Sequence, residues 1–317
     1  MYGLKTDWLE APSAAAFTLD DYEGAVARWC PGCGDHAVLT AVQRLCRDEQ
    51  LEPHKTMMVA GIGCSSRFPH YMKTYGFHGL HGRALPIAEG IRSRRPDLHI
   101  FVSTGDGDCC SIGAGHWVHA IRYNMNMTVM LFDNNVYGLT KNQTSPTSSQ
   151  GQTSNTHPRG AWLKPIDPIQ TTLGITNASF VAQTVDWNPI HLLSTLKAAH
   201  RHQGLSFVRI LQRCPHFTED VFQIARTVPE ALKLMHHPDG IEADEKLMAR
   251  FPNNVEHDPS DINAARQLAD SSDGIPIGLF YRNNNADRYD EYTVSGLATP
   301  RAKKLEAIRG VLDGYRI

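Results

Sequence analysis

No uninterrupted apolar run of about eighteen residues, the length of a membrane-spanning helix, occurs in the 317-residue sequence, so no membrane association is expected. A basic block is missing as well. The 31 Lys and Arg are offset by 33 Asp and Glu, the formal charge is −2, and no nucleic-acid partner is expected. No internal repeat is evident. An even disulfide framework is also absent: the seven cysteines are Cys30, Cys33, Cys46, Cys64, Cys109, Cys110 and Cys214, and an odd number in a large chain points instead to metal or cluster ligation plus buried thiols. Residues 1–21 lack the charged-then-apolar pattern of a secretory signal and read as a mature start, so a cytoplasmic location is the expectation. What is present, 41% hydrophobic and 20% charged residues, is ordinary for a globular protein with a sizeable core.

Along the chain, residues 1–28 read as a polar lead-in with a helix over 18–28. After Cys30-Pro31-Gly32-Cys33, Asp35 is expected to cap a helix whose Ala37, Val38, Ala41, Val42 and Leu45 follow helical spacing. Residues 55–62 (KTMMVAGI) read as a buried strand that ends in the loop Gly61-Ile62-Gly63-Cys64-Ser65-Ser66-Arg67. A helix over 85–94, a strand over 98–104, a helix over 111–123 and a strand over 127–132 follow. This alternation predicts an α/β fold with a doubly wound, mostly parallel sheet. Residues 140–160 are rich in Ser, Thr, Gln and Asn; in isolation they read as a flexible linker, and directly after Asn134-Asn135 they read as a loop over a ligand. A helix near 168–173, a strand 179–185, a helix 189–202 and a strand 205–211 complete a unit spanning 29–224. Residues 225–317, with the strand-like 275–281 (IPIGLFY), are expected to form a C-terminal extension packed on this domain or on a partner subunit.

Chemistry concentrates in two places. Gly105-Asp106-Gly107-Asp108 and Asn134-Asn135 are spaced as the ends of two strands joined by one helix. In a parallel sheet those ends share an edge, where open α/β folds bind ligands. A carboxylate and an amide oxygen beside glycine amides suit a magnesium ion held by a diphosphate; the plain alternative is two polar turns. Cys30 and Cys33 form a CxxC pair, which serves zinc, redox dithiols and iron–sulfur clusters alike. No strand precedes it as in a redox dithiol, and no second CxxC or His pair stands nearby as in a zinc site. Single cysteines at strand ends, Cys64 and Cys214, would complete a four-thiolate set for a [4Fe–4S] cluster, with zinc and purely structural thiols the alternatives. Cys46, Cys109 and Cys110 read as buried packing thiols, and His70, His78, His116 and His119 as structural histidines. Arg92, Arg94 and Arg95 read as a solvated helix end.

These segments carry a family resemblance. WCPGCG, GIGCSSR, HGLHGRALPIAEGI, STGDGD and FDNNVYGLTKNQTSPT resemble the β subunit of 2-oxoacid:ferredoxin oxidoreductases, most closely the 2-oxoglutarate type, densely over residues 28–217. The resemblance implies a thiamine-diphosphate-binding fold and CoA-dependent oxidative decarboxylation of a 2-oxoacid, 2-oxoglutarate to succinyl-CoA, with electrons passed through the cluster to ferredoxin. It implies that Cys30, Cys33, Cys64 and Cys214 ligate the cluster, and that Asp106, Asn134 and the carbonyl of Val136 hold Mg2+. Ile62, Gly63, Cys64, Ser65, Gly105, Gly107, Asp108, Gly138 and Leu139 would line the cofactor, with His81 beside its diphosphate or thiazolium. Arg67 stands where some members have Lys and would bind a substrate carboxylate, Arg suiting bidentate recognition. Lys141 matches a position implicated in coenzyme A binding. A larger α subunit, in a heterotetramer of two pairs, would complete the active site. The alternatives are selectivity for pyruvate or a branched-chain 2-oxoacid, a thiamine-dependent decarboxylase without redox function, and a zinc-stabilised assembly subunit.

Overall fold

A computed structural model describes residues 16–294 and 300–315. Nine strands form one sheet: β1 Thr56–Ala60, β2 Tyr75–His78, β3 His99–Gly105, β4 Met127–Asp133, β5 Phe180–Val185, β6 Leu205–Leu211, β7 Leu232–His236, β8 Asn254–Glu256 and β9 Ile275–Arg282. Their order is β2-β1-β3-β4-β6-β5-β9-β7-β8. Every pairing is parallel except β5 with β9, which is antiparallel. The central strands are apolar throughout because both faces are covered; β4 (MTVMLFD) is buried at all seven positions.

Alternation along the strands divides the core in two. On one face Phe101 and Met130 pack with Leu45 of α1 (Asp35–Asp48), and with Leu192 and Leu196 of a later helix, Pro189–Arg201. On the other, Val102, Val129 and Leu131 meet Ala88 of α2 (Ala84–Arg94), Trp117 of α3 (Ala114–Tyr123) and Leu173 of α4 (Pro168–Gly174). Each of the Val, Leu, Phe and Met side chains contributes roughly 1.5–3 kcal/mol when fully buried. Asp167 and Asn188 cap the two later helices through bonds to Gln170 N and His191 N, each followed by a proline at the first helical position, where its missing N–H costs nothing.

After β1 the chain steps to one side for β2 and to the other for β3. The β1/β3 crevice is therefore a topological switch point, and the loops after β1, β3 and β4 open on it together.

Three expectations need correction. Residues 18–28 are not a helix; only Leu19–Asp21 form a helical turn. Tyr22 is instead fully buried with its hydroxyl donating to Leu51 O at 2.7 Å, and an antiparallel bridge joins Glu23 to Met72. Arg92 is not a solvated helix end: it is buried, and its Nε donates to the buried Asp290 Oδ2 at 2.7 Å. Asp35 does not cap α1. Gly34 holds the cap position, and Asp35 is the first helical residue with its carboxylate turned inward. The described part of the C-terminal extension adds β7, β8 and β9 to the sheet, around a third apolar cluster of Val185, Leu211, Leu232, Leu234 and Ile277.

Candidate active site

The switch-point loops enclose a cleft of about 490 Å3, part of it open to solvent, lined by residues of 61–65, 105–108 and 132–140 together with Asp35 and His81. It gathers Ile62, Gly63, Cys64, Ser65, His81, Gly105, Asp106, Gly107, Asp108, Asn134, Val136, Gly138 and Leu139. Arg67 and Lys141 do not line it. Arg67 Nη1 donates to Arg28 O at 3.1 Å and its guanidinium lies 5.7 Å from the Tyr71 ring centroid. Lys141 is exposed, in a left-handed backbone conformation (φ 71°). Asn155 Nδ2 donates to its carbonyl at 2.7 Å.

At the β3 end, Asp106 is 2% exposed. Ser145 Oγ lies 2.6 Å and Thr147 Oγ1 2.7 Å from its Oδ2. Burial, then the nearby Asp133 carboxylate, raise the Asp106 pKa well above the usual carboxylate range. Asp108 faces the other way: its Oδ1 accepts from Gly82 N at 2.7 Å and Ile62 N at 3.3 Å, and its Oδ2 from Thr104 at 2.8 Å. It ties three loops together at the cleft wall. Glycine at 107 is required by packing, since a Cβ there would stand 2.2 Å from the Tyr137 ring, whose hydroxyl donates to Gly107 O at 2.9 Å. At the β4 end, Asn134 Nδ2 donates to Gln212 Oε1 at 2.7 Å, which orients the amide, and Oδ1 accepts only a long 3.3 Å bond from Val136 N.

The cysteines meet beside this corner. Gly34 N donates to Arg213 O at 3.1 Å and Gly32 packs on Pro215, which seats the CxxC turn against the end of β6. Cys64 Sγ and Cys214 Sγ lie 3.8 and 3.9 Å from where a Cβ on Gly138 would stand, so both sulfurs face one point. Trp29 Nε1 donates to Cys64 O at 2.7 Å, and Gln212 Nε2 to Cys33 Sγ at 3.3 Å. Burial, then Asp35, Cys214 and Cys30, push the Cys64 thiol up to about 12, and burial likewise raises that of Cys33. All seven cysteines are free thiols.

The residues fit the groups the resemblance implies. A buried carboxylate raised by its surroundings, an oriented amide oxygen and the Val136 backbone together offer the oxygen set of a hard divalent ion. Burial raises the thiols of Cys33 and Cys64, so these ionise most readily beside compensating positive charge, which an iron–sulfur cluster supplies. Among the described residues no three His, Cys, Asp or Glu side chains converge on a single metal-ion position.

Two β subunits of 2-oxoacid:ferredoxin oxidoreductases resemble the chain over most of its length. That from Sulfolobus sp is 35% identical, the match covering 83% of this chain and 84% of the relative. That from Saccharolobus solfataricus is 34% identical, covering 92% and 87%. The chain belongs to this family of β subunits. Its residues 56–210 match the model of the C-terminal TPP-binding domain of thiamine pyrophosphate enzymes, and 247–295 match that of the C-terminal region of the pyruvate ferredoxin oxidoreductase beta subunit. The 2-oxoglutarate oxidoreductase subunit KorB of Mycobacterium tuberculosis is 45% identical over 63% of this chain, a match spanning 53% of that protein. A solved structure of 2-oxoglutarate:ferredoxin oxidoreductase from Magnetococcus marinus, with 2-oxoglutarate, coenzyme A and succinyl-CoA bound, superposes with a TM-score of 0.78 at 34% identity, covering 92% of this chain and 96% of that one. Among the described residues no helix is long and apolar enough to cross a membrane.

Sequence reasoning missed Asp35, Tyr137, Ser145 and Thr147. Only the density of hydroxyl side chains straight after Asn134-Asn135 signalled the last two. Asp35 is 1% exposed, and burial raises its pKa to about 7, with Cys33 opposing and the Asp186 carboxylate adding to the rise. A folded-state value above the unfolded one means the native chain binds more protons between pH about 4 and 7, so this group's contribution to stability falls as pH rises through that window. In protein lacking cluster and cofactor, Asp35→Asn should abolish a loss of at most about 4 kcal/mol between pH 4 and pH 8. Urea unfolding at the two pH values measures it; an unchanged pH dependence would mean that Asp35 is solvated.

Proposed function

We propose that this chain, paired with a larger α subunit in a heterotetramer of two such pairs, carries out CoA-dependent oxidative decarboxylation of a 2-oxoacid, with 2-oxoglutarate as substrate and ferredoxin as acceptor. Thiamine diphosphate, when bound, supplies the electron sink for loss of carbon dioxide. Asp106, Asn134 and the Val136 carbonyl hold its Mg2+ and fix the diphosphate. The backbone at Ile62, Gly63 and Ser65, with Gly105, Gly107, Gly138 and Leu139, shapes the cleft, and His81 stands at its rim. Asp108 keeps the three loops in register. Cys30, Cys33, Cys64 and Cys214 hold a [4Fe–4S] cluster, and Lys141 meets coenzyme A.

One observation carries this reading: Cys64 belongs both to the four-cysteine group and to the wall of the Asp106/Asn134 cleft. A redox centre ligated there would sit against the bound cofactor, as one-electron removal requires. The preference for 2-oxoglutarate rests on the KorB relative and the solved neighbour.

The test uses the assembled pair, purified anaerobically. It should be brown and should reduce a viologen dye only with 2-oxoacid and coenzyme A together. A colourless, zinc-containing protein would favour an assembly role. With Arg67 as the distal-carboxylate ligand, Arg67→Ala should lower kcat/KM for 2-oxoglutarate by about 10- to 100-fold, the worth of a charge-assisted hydrogen bond. Activity on pyruvate should change little. Equal losses on both substrates would leave Arg67 its contacts with Arg28 and Tyr71 as a purely structural role.

A further inference from the structure

The Ser/Thr-rich segment after the Asn134-Asn135 corner is folded under the cleft rather than free. Ser145, Thr147 and Ser148 are at most 4% exposed. Ser148 Oγ donates to Asn135 O at 2.6 Å, Gln152 Nε2 donates to the same carbonyl at 3.0 Å, and Asn135 Nδ2 donates to Thr147 O. Thr147 Oγ1 lies between two carboxylates, 2.7 Å from Asp106 Oδ2 and 2.8 Å from Asp133 Oδ1, with one proton to donate. Asp133 in turn accepts from Arg209 Nε at 2.8 Å, and Arg209 Nη1 reaches Asp167 Oδ2 at 3.1 Å. The result is a continuous path from the half-exposed α4 cap, Asp167, inward to the buried Asp106.

Both hydroxyls address the same oxygen of Asp106. Among the described residues no side-chain donor reaches Oδ1, and the other donor at this carboxylate is the backbone N–H of Gly107. A carboxylate free to rotate could offer either oxygen, or both, to a cation. One whose Oδ2 is held by two hydroxyls can offer a single oxygen in a single direction, which suits the octahedral geometry Mg2+ demands.

We infer that Ser145 and Thr147 are positioning residues for the magnesium corner, fixing the Asp106 carboxylate so that Oδ1 alone is presented to the ion. The inference rests on the cofactor assignment above. Neither residue touches the ion, so their effect is on its affinity and selectivity rather than on the chemistry.

The experiment uses the assembled pair, stripped of cofactor with a chelator, and follows Mg2+-dependent thiamine diphosphate binding by tryptophan fluorescence and calorimetry. Visible absorbance of the cluster serves as the control for folding. Thr147→Val, which keeps shape and removes the hydroxyl, should raise the Mg2+ concentration for half-saturation by about 10- to 100-fold. Thr147→Ser should restore it. Ser145→Ala, a smaller change, should shift it in the same direction and covers the case in which Thr147→Val does not assemble. Larger Mn2+, tolerant of looser geometry, should lose less than Mg2+ in each variant. Unchanged half-saturation in Thr147→Val, or in Ser145→Ala where that variant alone assembles, overturns the proposal, as does a Thr147→Ser variant no better than Val. A wild-type protein whose thiamine diphosphate binding ignores Mg2+ overturns the corner assignment itself, and the clamp with it.

Discussion

Asp106→Ala should weaken Mg2+-dependent thiamine diphosphate binding by more than about 100-fold while leaving the visible absorbance of the cluster unchanged. Magnesium in nucleotide and diphosphate sites is held by one or two carboxylates plus phosphate oxygens, and Asp106 is the carboxylate at this corner. Asp133 cannot replace it. It is fully buried beneath the corner, with Oδ2 engaged by Arg209 and Oδ1 accepting from Asn135 N at 3.3 Å. Asn134 and a backbone carbonyl would remain, neutral oxygens whose combined pull on a hydrated ion is far weaker. The cysteines are carried by other elements: Cys30 and Cys33 precede α1, Cys64 follows β1 and Cys214 follows β6. Loss of the β3-end carboxylate therefore leaves their supports in place.

Asp106→Asn separates charge from geometry in the same experiment. It keeps a side-chain oxygen but removes the like-charge contact with Asp133, so the cofactor-free variant should be more stable than wild type at pH 8, where the native carboxylate carries its full burial penalty. Its cofactor affinity should nevertheless fall. Unaltered titration curves for both variants would remove Asp106 from the magnesium site.

How much of this was legible in the sequence varies by residue, and the reasons are physical. The β3 and β4 segments are buried on both faces, so their apolar runs and the polar residues that end them stand out, and the Asp106/Asn134 corner follows from strand parallelism. β2 escapes notice because its four residues, Tyr75 to His78, are all exposed at the sheet edge and show no alternation. Arg92 sits among charged neighbours at a helix end, and its burial is made tolerable by Asp290, 198 positions away, together with the Pro96 and Leu98 carbonyls. No local pattern encodes such a pair. Asp35 has the position and chemistry of a helix cap in sequence, and only the fold shows that Gly34 takes that place while the carboxylate enters the cleft wall. Ser145 and Thr147 lie in a segment whose composition is that of a linker. What orders them is the unsatisfied hydrogen-bonding capacity of Asp106, Asp133 and Asn135, which would be costly to bury alone.

The isolated chain, loaded with cluster, Mg2+ and thiamine diphosphate, should turn over at least about 1000-fold more slowly than the assembled pair, a loss of roughly 4 kcal/mol in transition-state stabilisation. Two features of the cleft lead there. Its lining offers Asp35, Asp106 and Asp108 as acidic groups, and no glutamate. Asp106 and Asp108 are engaged in holding the corner and the loops. The larger subunit proposed above would supply what the cleft lacks. The neighbouring surface is also apolar where a finished protein would be polar: Leu139 is 46% exposed, and Trp162 and Leu163, beyond the buried hydroxyl segment, are 70% and 61% exposed. Large exposed apolar side chains of this kind suit a surface that another chain covers. Covering it would also exclude water from the cleft, strengthening every electrostatic contact with the reacting atoms. Dye reduction by the chain alone, against the same preparation after addition of the larger subunit, measures the difference. Comparable rates in the two would mean that the cleft is complete as it stands and that the partner serves only assembly or regulation.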